Sequence, residues 1–123
     1  MYIADTGANR IVWVNTHDTT YNVQNIMNDP SRLEPLAEYS RISGIEWGVL
    51  VSGLSAPSGI ALEEDRLFVS LNANGKIVAF DLGSDGKSAS ETASIQTSAR
   101  SIMGLEIGPQ GRLYFVDNGR DQV

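Results

Sequence analysis

Seven side chains of this 123-residue sequence have the types and positions to hold a polar ligand: Asp5, Asn9, Ser58, Asn72, Asp117, Asn118 and Arg120. All lie in or beside short turns between apolar stretches, with Thr6, Asn74, Met103 and Asp121 close by. Gathered together, carboxylates and amides would form a polar ring able to take a divalent cation through oxygen ligands or to position a polar substrate. Arg120 could bind an anion there. The same residues also have a purely local use. Asp and Asn accept backbone N–H bonds in turns and tolerate left-handed conformations. For Asp5 and Asp117 that use weighs heavier, and more so for Asn72 and Asn74, which precede Gly75 in a hairpin-turn signature.

Other chemistries are excluded by what is absent. There is no cysteine, hence no disulfide, zinc-thiolate site or thiol nucleophile. One histidine, His17, cannot make a histidine metal cluster, and a Ser–His–carboxylate triad would have to use it from inside a polar loop. No Gly-rich phosphate loop precedes a helix, and no Gly-x-Ser-x-Gly elbow occurs. Nine scattered basic residues against fifteen acidic ones, a formal charge of −6, argue against nucleic acid. Trp13 and Trp47 have few basic neighbours and read as packing residues, not as base-stacking platforms. No apolar run approaches the ~20 residues that span a bilayer.

What positions the seven is a repeat. Tyr2-Ile3-Ala4-Asp5-Thr6-Gly7-Ala8-Asn9-Arg10-Ile11-Val12 aligns without a gap on Phe68-Val69-Ser70-Leu71-Asn72-Ala73-Asn74-Gly75-Lys76-Ile77-Val78. Tyr114–Val123 begins a third copy. "PSGIALEEDRLF" and "IMGLEIGPQGRLY" then parallel each other, and Gly59 to Gly104 is a step of 45 residues, the length of a four-stranded unit. The apolar runs Ile60–Leu62 and Leu105–Ile107 suit strands buried on both faces. Strands follow at Arg66–Ser70, Arg112–Asp117 and Lys76–Leu82, with weaker outer strands at Trp47–Val51 and Ser94–Ser98. Gly83–Thr92 reads as a turn. Thr16–Ser43 is polar and broken by Pro30 and Pro35. It is expected to be a loop insertion, with one short helix capped by Asp29. Arg10 is expected at the surface or in an ion pair between units.

With these residues in place, the sequence resembles the NHL-repeat family of β-propellers. "YIADTGANRIVWV" is similar to the repeat's aromatic–aliphatic–Ala–Asp segment, turn and Arg-Ile strand. "LSAPSGIAL" and "GLEIGPQGRLYFVDNG" are similar to its first strands. The middle copy departs from the pattern, having Leu71 where the family has Asp. Over five residues, "LYFVDNGRDQV" also resembles sorbosone/glucose dehydrogenase-type propellers, which use a quinone.

The resemblance implies an all-β fold: a β-propeller segment of four-stranded antiparallel blades, about two to three blades of a six-bladed ring. Residues 1–54 would be a partial blade with an insertion at about 16–43, 55–100 a complete blade, and 101–123 the start of the next. The unclosed ring implies a segment of a larger propeller, or else assembly of several copies. The turns at Asp5–Asn9, Ala56–Gly59, Asn72–Gly75 and Asp117–Asp121 would converge at the channel mouth, with Glu63–Asp65 at the other end. The implied function is a ligand- or protein-binding scaffold. The alternative is part of a propeller enzyme, a quinone-dependent sugar dehydrogenase or a metal-assisted hydrolase or lyase. Implied partners are a small polar ligand, a glycan or a protein, together with missing blades of the same chain or self-association. A divalent cation or a quinone remains open as cofactor, and the family suggests a secreted or periplasmic setting.

Overall fold

The computed structural model is all-β. It describes residues 1–17, 22–26, 39–120 and 123, and of residues 23–26 and 39–42 the backbone alone. The strands are β1 (Tyr2–Asp5), β2 (Arg10–Val14), β3 (Asn22–Ile26), β4 (Tyr39–Ser43), β5 (Trp47–Ser52), β6 (Pro57–Glu63), β7 (Arg66–Leu71), β8 (Lys76–Leu82), β9 (Ala89–Gln96), β10 (Ile102–Gly108) and β11 (Arg112–Asp117). They form sheets β1-β2-β5, β3-β4, β6-β7-β8-β9 and β10-β11. Among the described residues the only helical turns are Thr6–Ala8 and Pro109–Gly111, and no helix is long and apolar enough to cross a membrane. Val14–Trp47 forms a compact unit of its own; the remainder, Met1–Trp13 with Gly48–Val123, forms the other.

In the larger unit the four-stranded sheet is central. Period-two alternation sends Leu67, Val69, Leu71, Val78 and Phe80 to one face, and Phe68, Ser70, Ile77 and Ala79 to the other. The register fixes this partition, pairing Leu67 with Phe80, Val69 with Val78, and Ser70 with Ile77. The first face packs on Tyr2, Ala4, Ile11, Trp13 and Leu50 of β1-β2-β5. The second, through Ile77, Ala61 and Phe68, packs on Ile102, Leu105, Leu113 and Phe115 of β10-β11. Both faces are therefore apolar, and each requires a neighbouring sheet. Burying one such Leu or Val contributes about 1.5–3 kcal/mol.

The sequence repeat is also a repeat of geometry. Both β6 and β10 have a register irregularity at the same place, between Pro57 and Ile60 and between Ile102 and Gly104. Beyond it, Ile60↔Val69 and Leu105↔Phe115 are equivalent pairs. At this point the central sheet meets the next one closely. A Cβ on Gly59 would lie 2.8 Å from the Leu105 amide nitrogen, 2.9 Å from Ser70 Oγ and 3.0 Å from the Gly104 carbonyl carbon. The Ser70 hydroxyl, wholly buried, accepts from the Gly59 N–H at 2.8 Å.

The fourth strand of the central sheet is its polar edge. β9 is exposed along almost its whole length, carrying Ser90, Glu91, Thr92 and Ser94. The turn before it closes on itself, Gly83 N–H to the Ser88 carbonyl at 2.9 Å. That turn reaches the first sheet. Tyr2 OH donates to the Gly86 carbonyl at 2.8 Å, and Lys87 Nζ lies 4.7 Å from the Trp13 ring centroid.

Several expectations need correction. The turn Gly83–Thr92 ends at Ser88, because β9 begins at Ala89 and pairs there with Leu82. The insertion contains paired strands, β3 with β4, not simply a loop. Asp29, Pro30 and Pro35 lie outside the described residues. Leu62 is largely exposed, so the run Ile60–Leu62 is not buried on both faces throughout. Trp13 packs into the core, whereas Trp47 is exposed on edge strand β5. Arg10, one-third exposed, pairs with Asp5 of its own hairpin.

The close approach at Gly59 yields a stability contrast. Gly59→Ala forces backbone of the next sheet to shift and should cost about 1–3 kcal/mol. Gly7→Ala, with nothing within 4 Å of the added carbon, should stay within about 0.5 kcal/mol of the parent. Urea unfolding midpoints of the two variants check this.

Candidate functional site

The turns bearing the seven residues lie in one row along one end of the stacked sheets, and hydrogen bonds chain them together. Asn9, left-handed at φ 55°, accepts the Ala56 N–H on its side-chain oxygen at 3.2 Å and the Leu54 N–H on its carbonyl at 3.0 Å. Thr6 Oγ1 donates to the Pro57 carbonyl at 2.7 Å. One repeat later, Asn72 Oδ1 accepts from Ser101 Oγ at 2.7 Å. Thr6 and Asn72 are equivalent positions, and each latches its turn to the segment leading into the next sheet. The backbone repeats too: Asn72 N–H to the Ala56 carbonyl and Asn118 N–H to the Ser101 carbonyl, both 2.9 Å.

The remaining residues behave similarly. Asp5 accepts from Arg10 Nε at 2.8 Å across the β1–β2 hairpin, both side chains being about one-third exposed. Such a pair contributes about 0–1 kcal/mol. Ser58 donates to the Ile102 carbonyl and sits 3.0 Å from Ser70 Oγ, so it joins two sheets. Asn74 Oδ1 accepts the Lys76 N–H at 3.1 Å, and Gly75 supplies the positive φ of 65° that closes this turn. The Asn118 and Arg120 side chains are exposed, as is Met103. Asp121 lies outside the described residues.

Asp117 has the most developed environment. The residue is 1% exposed, yet its carboxylate accepts the amides of Arg100 at 3.2 Å, Ser101 at 3.1 Å and Gly119 at 3.1 Å. Arg120 Nε lies 3.9 Å away. Burial by itself would push this carboxyl up. The three N–H donors and the neighbouring guanidinium outweigh it and hold the pKa below the ordinary 3.8. Asp117 thus fastens the segment before β10 to the turn after β11. Leu71, its equivalent in the central sheet, is a core residue instead.

The other end of the central sheet carries an open cleft of about 590 Å³ lined by Glu63, Glu64, Asp65, Arg66, Asp81 and Leu82. Arg66 and Asp81 pair across it at 2.9 Å. Among the described residues no group of three His, Asp or Glu side chains is arranged to hold a metal ion. His17 is exposed, and its amide donates to Asn15 Oδ1 at 3.1 Å.

Two residues of this network escape a reading of the sequence alone. Ser70 stands in a run of buried strand residues, where a hydroxyl of inward parity could have been noticed. Ser101 precedes β10 at the position of Ala56, and nothing in its type marks it. No family model, curated protein or solved structure matches this chain.

Because the Asp117 carboxyl is held low when folded, its protonation favours the unfolded chain. Its stabilisation is complete above the unfolded value near 3.8 and is lost as the pH falls through the lower, folded value. Asp117→Asn should lower the urea midpoint at pH 7 and flatten its decline between about pH 5 and pH 2. An undiminished acid slope in the variant would assign that decline to other carboxylates.

Proposed function

We propose that this chain is a stretch of an NHL-like β-propeller acting as a binding scaffold, with the row of latched turns as its recognition surface. The observation carrying this reading is the repeated latch, Thr6 to Pro57 and Asn72 to Ser101, at equivalent positions of successive sheets. The 45-residue step, the shared irregularity in β6 and β10 and the antiparallel central sheet agree with it. Most polar atoms of the row are spent on one another. Asn118 and Arg120 face outward, together with the exposed Thr6, Asn9 and Asn74, whose side-chain oxygens are already hydrogen-bonded. Such a surface suits recognition of a small polar ligand, a glycan or a peptide through its carboxylate and carbonyl oxygens, which accept from guanidinium and amide donors. Its described carboxylates, Asp5 and Asp117, are taken up by Arg10 and by backbone amides, which favours a binding role.

Titrating the ¹⁵N-labelled chain separately with glucose, calcium chloride and an N-acetylated tripeptide tests the location. At least one probe should shift amides of Ala56, Asn72–Gly75, Ser101 and Asn118–Arg120 together, and Arg120→Ala should weaken that response. Shifts confined to Glu63–Arg66 would overturn the assignment.

A further inference from the structure

Residues 53–56 carry the chain from β5 of the first sheet into β6 of the central one. The last of them, Ala56, is left-handed, at φ 53°. Two effects oppose that conformation. A Cβ clashes with the backbone there, and a residue before proline, here Pro57, is driven to an extended conformation. Asn9 supplies the hold. The Ala56 N–H is shared between the Asn9 side-chain oxygen at 3.2 Å and the Leu54 carbonyl at 3.1 Å. The Leu54 N–H in turn donates to the Asn9 carbonyl at 3.0 Å. The first sheet thus grips this segment at two points, both on one residue.

The next junction shows the same position in another state. Ser101 is the counterpart of Ala56 one 45-residue step later, and the strand pairs Pro57↔Leu71 and Ile102↔Asp117 are equivalent. Ser101 keeps an ordinary negative φ. Its N–H goes to Asp117 of its own sheet at 3.1 Å, and its hydroxyl reaches back to Asn72 of the preceding sheet at 2.7 Å. The two carbonyls behave alike, accepting from Asn72 and Asn118 at 2.9 Å. The difference is therefore confined to the N–H side. Ala56 has no hydroxyl, and Leu71 stands where the carboxylate would be. Its amide must make the backward link, and the left-handed form is the one that aims it at Asn9.

We infer that Ala56 is a two-state switch: the Asn9 side chain holds it left-handed, and without that bond it takes the negative φ of Ser101. The Ser55–Ala56 peptide turns over in the change. The Ser55 carbonyl accepts from the Ala73 N–H at 3.4 Å and swings with it, so the Asn72–Gly75 turn senses the state of Asn9. Asn9 is then a positioning residue, acting through Ala56 on the next turn of the row. It is exposed, so a cation or N–H donor that competes for its side-chain oxygen reaches the switch from solvent. The inference rests on these bonds and stands whether or not the row of turns binds a ligand.

NMR of the isotopically labelled 123-residue chain tests it. In the parent, Ala56 should show the strong intraresidue HN–Hα contact of a left-handed residue and a protected amide. Asn9→Gly keeps a left-handed backbone at position 9 but removes the acceptor. There the Ala56 contact should weaken, its amide should exchange several-fold faster, and the Ala73 amide should shift. Asn9→Asp, whose carboxylate accepts the same N–H, should retain all three parental features. Ala56→Gly should raise the urea midpoint, because glycine is free of the left-handed penalty. Added to Asn9→Gly, it should return the Ala73 amide to its parental position, since glycine takes a positive φ readily. A general loosening of the fold would not be reversed in this way. Ala56 still left-handed in Asn9→Gly overturns the proposal, as does an Ala73 amide that stays displaced in the double variant. Should Asn9→Gly fail to fold, Ala56→Gly decides: a midpoint no higher than the parent's means that no strain is held there, and the switch falls.

Discussion

A β-sheet with two apolar faces cannot stand alone in water, and the central sheet is of this kind. Leu67, Val69 and Phe80 need cover on one side, and Ile77 and Phe68 on the other. Their alternation dictates where neighbouring sheets must sit. Every other feature of the larger unit follows from meeting that demand. The absence of a side chain at Gly59 allows the approach of Leu105. Ser70 satisfies the Gly59 amide in the dry interface, where an unpaired N–H would cost about 1–3 kcal/mol.

Apolar packing sets the spacing between sheets but leaves them free to slide. Directional bonds at the row of turns remove that freedom. Thr6, Asn72 and Asp117 each join a turn to the segment leading into a sheet, and they use three different chemistries: a hydroxyl donor, an amide acceptor and a buried carboxylate. Residues that look suited to ligand chemistry are thereby committed to holding the architecture. The surface they build is cross-linked by these bonds, with Thr6, Asn9, Asn74, Asn118 and Arg120 exposed on it.

The central sheet was legible because its signals are local. Alternation, an Asn-x-Asn-Gly turn and an unbroken repeat fix β7, β8 and β11 to within a residue. The start of β9 was not legible: Ala89–Gln96 is polar, and its strand state depends on pairing with β8 rather than on its own composition. The insertion failed for a related reason, since Pro and polar residues hide the pairing of β3 with β4. At the turns, residue types identified Asp5, Asn9 and Asn72 as polar anchors but not their partners. The Ser101 hydroxyl, for one, is brought to Asn72 by the chain's return 29 residues later.

The polar edge of β9 has a consequence for how this architecture can grow. An unpaired strand edge normally invites another strand to add alongside it, the route to cross-β aggregates. Glu91 and its hydroxyl-bearing neighbours make that direction unfavourable, while both flat sides of the sheet stack readily. Extension is thus anisotropic. The two flat sides of the sheet are covered by its neighbours, while lateral accretion is disfavoured at its polar edge, so that edge acts as a safeguard against misassembly.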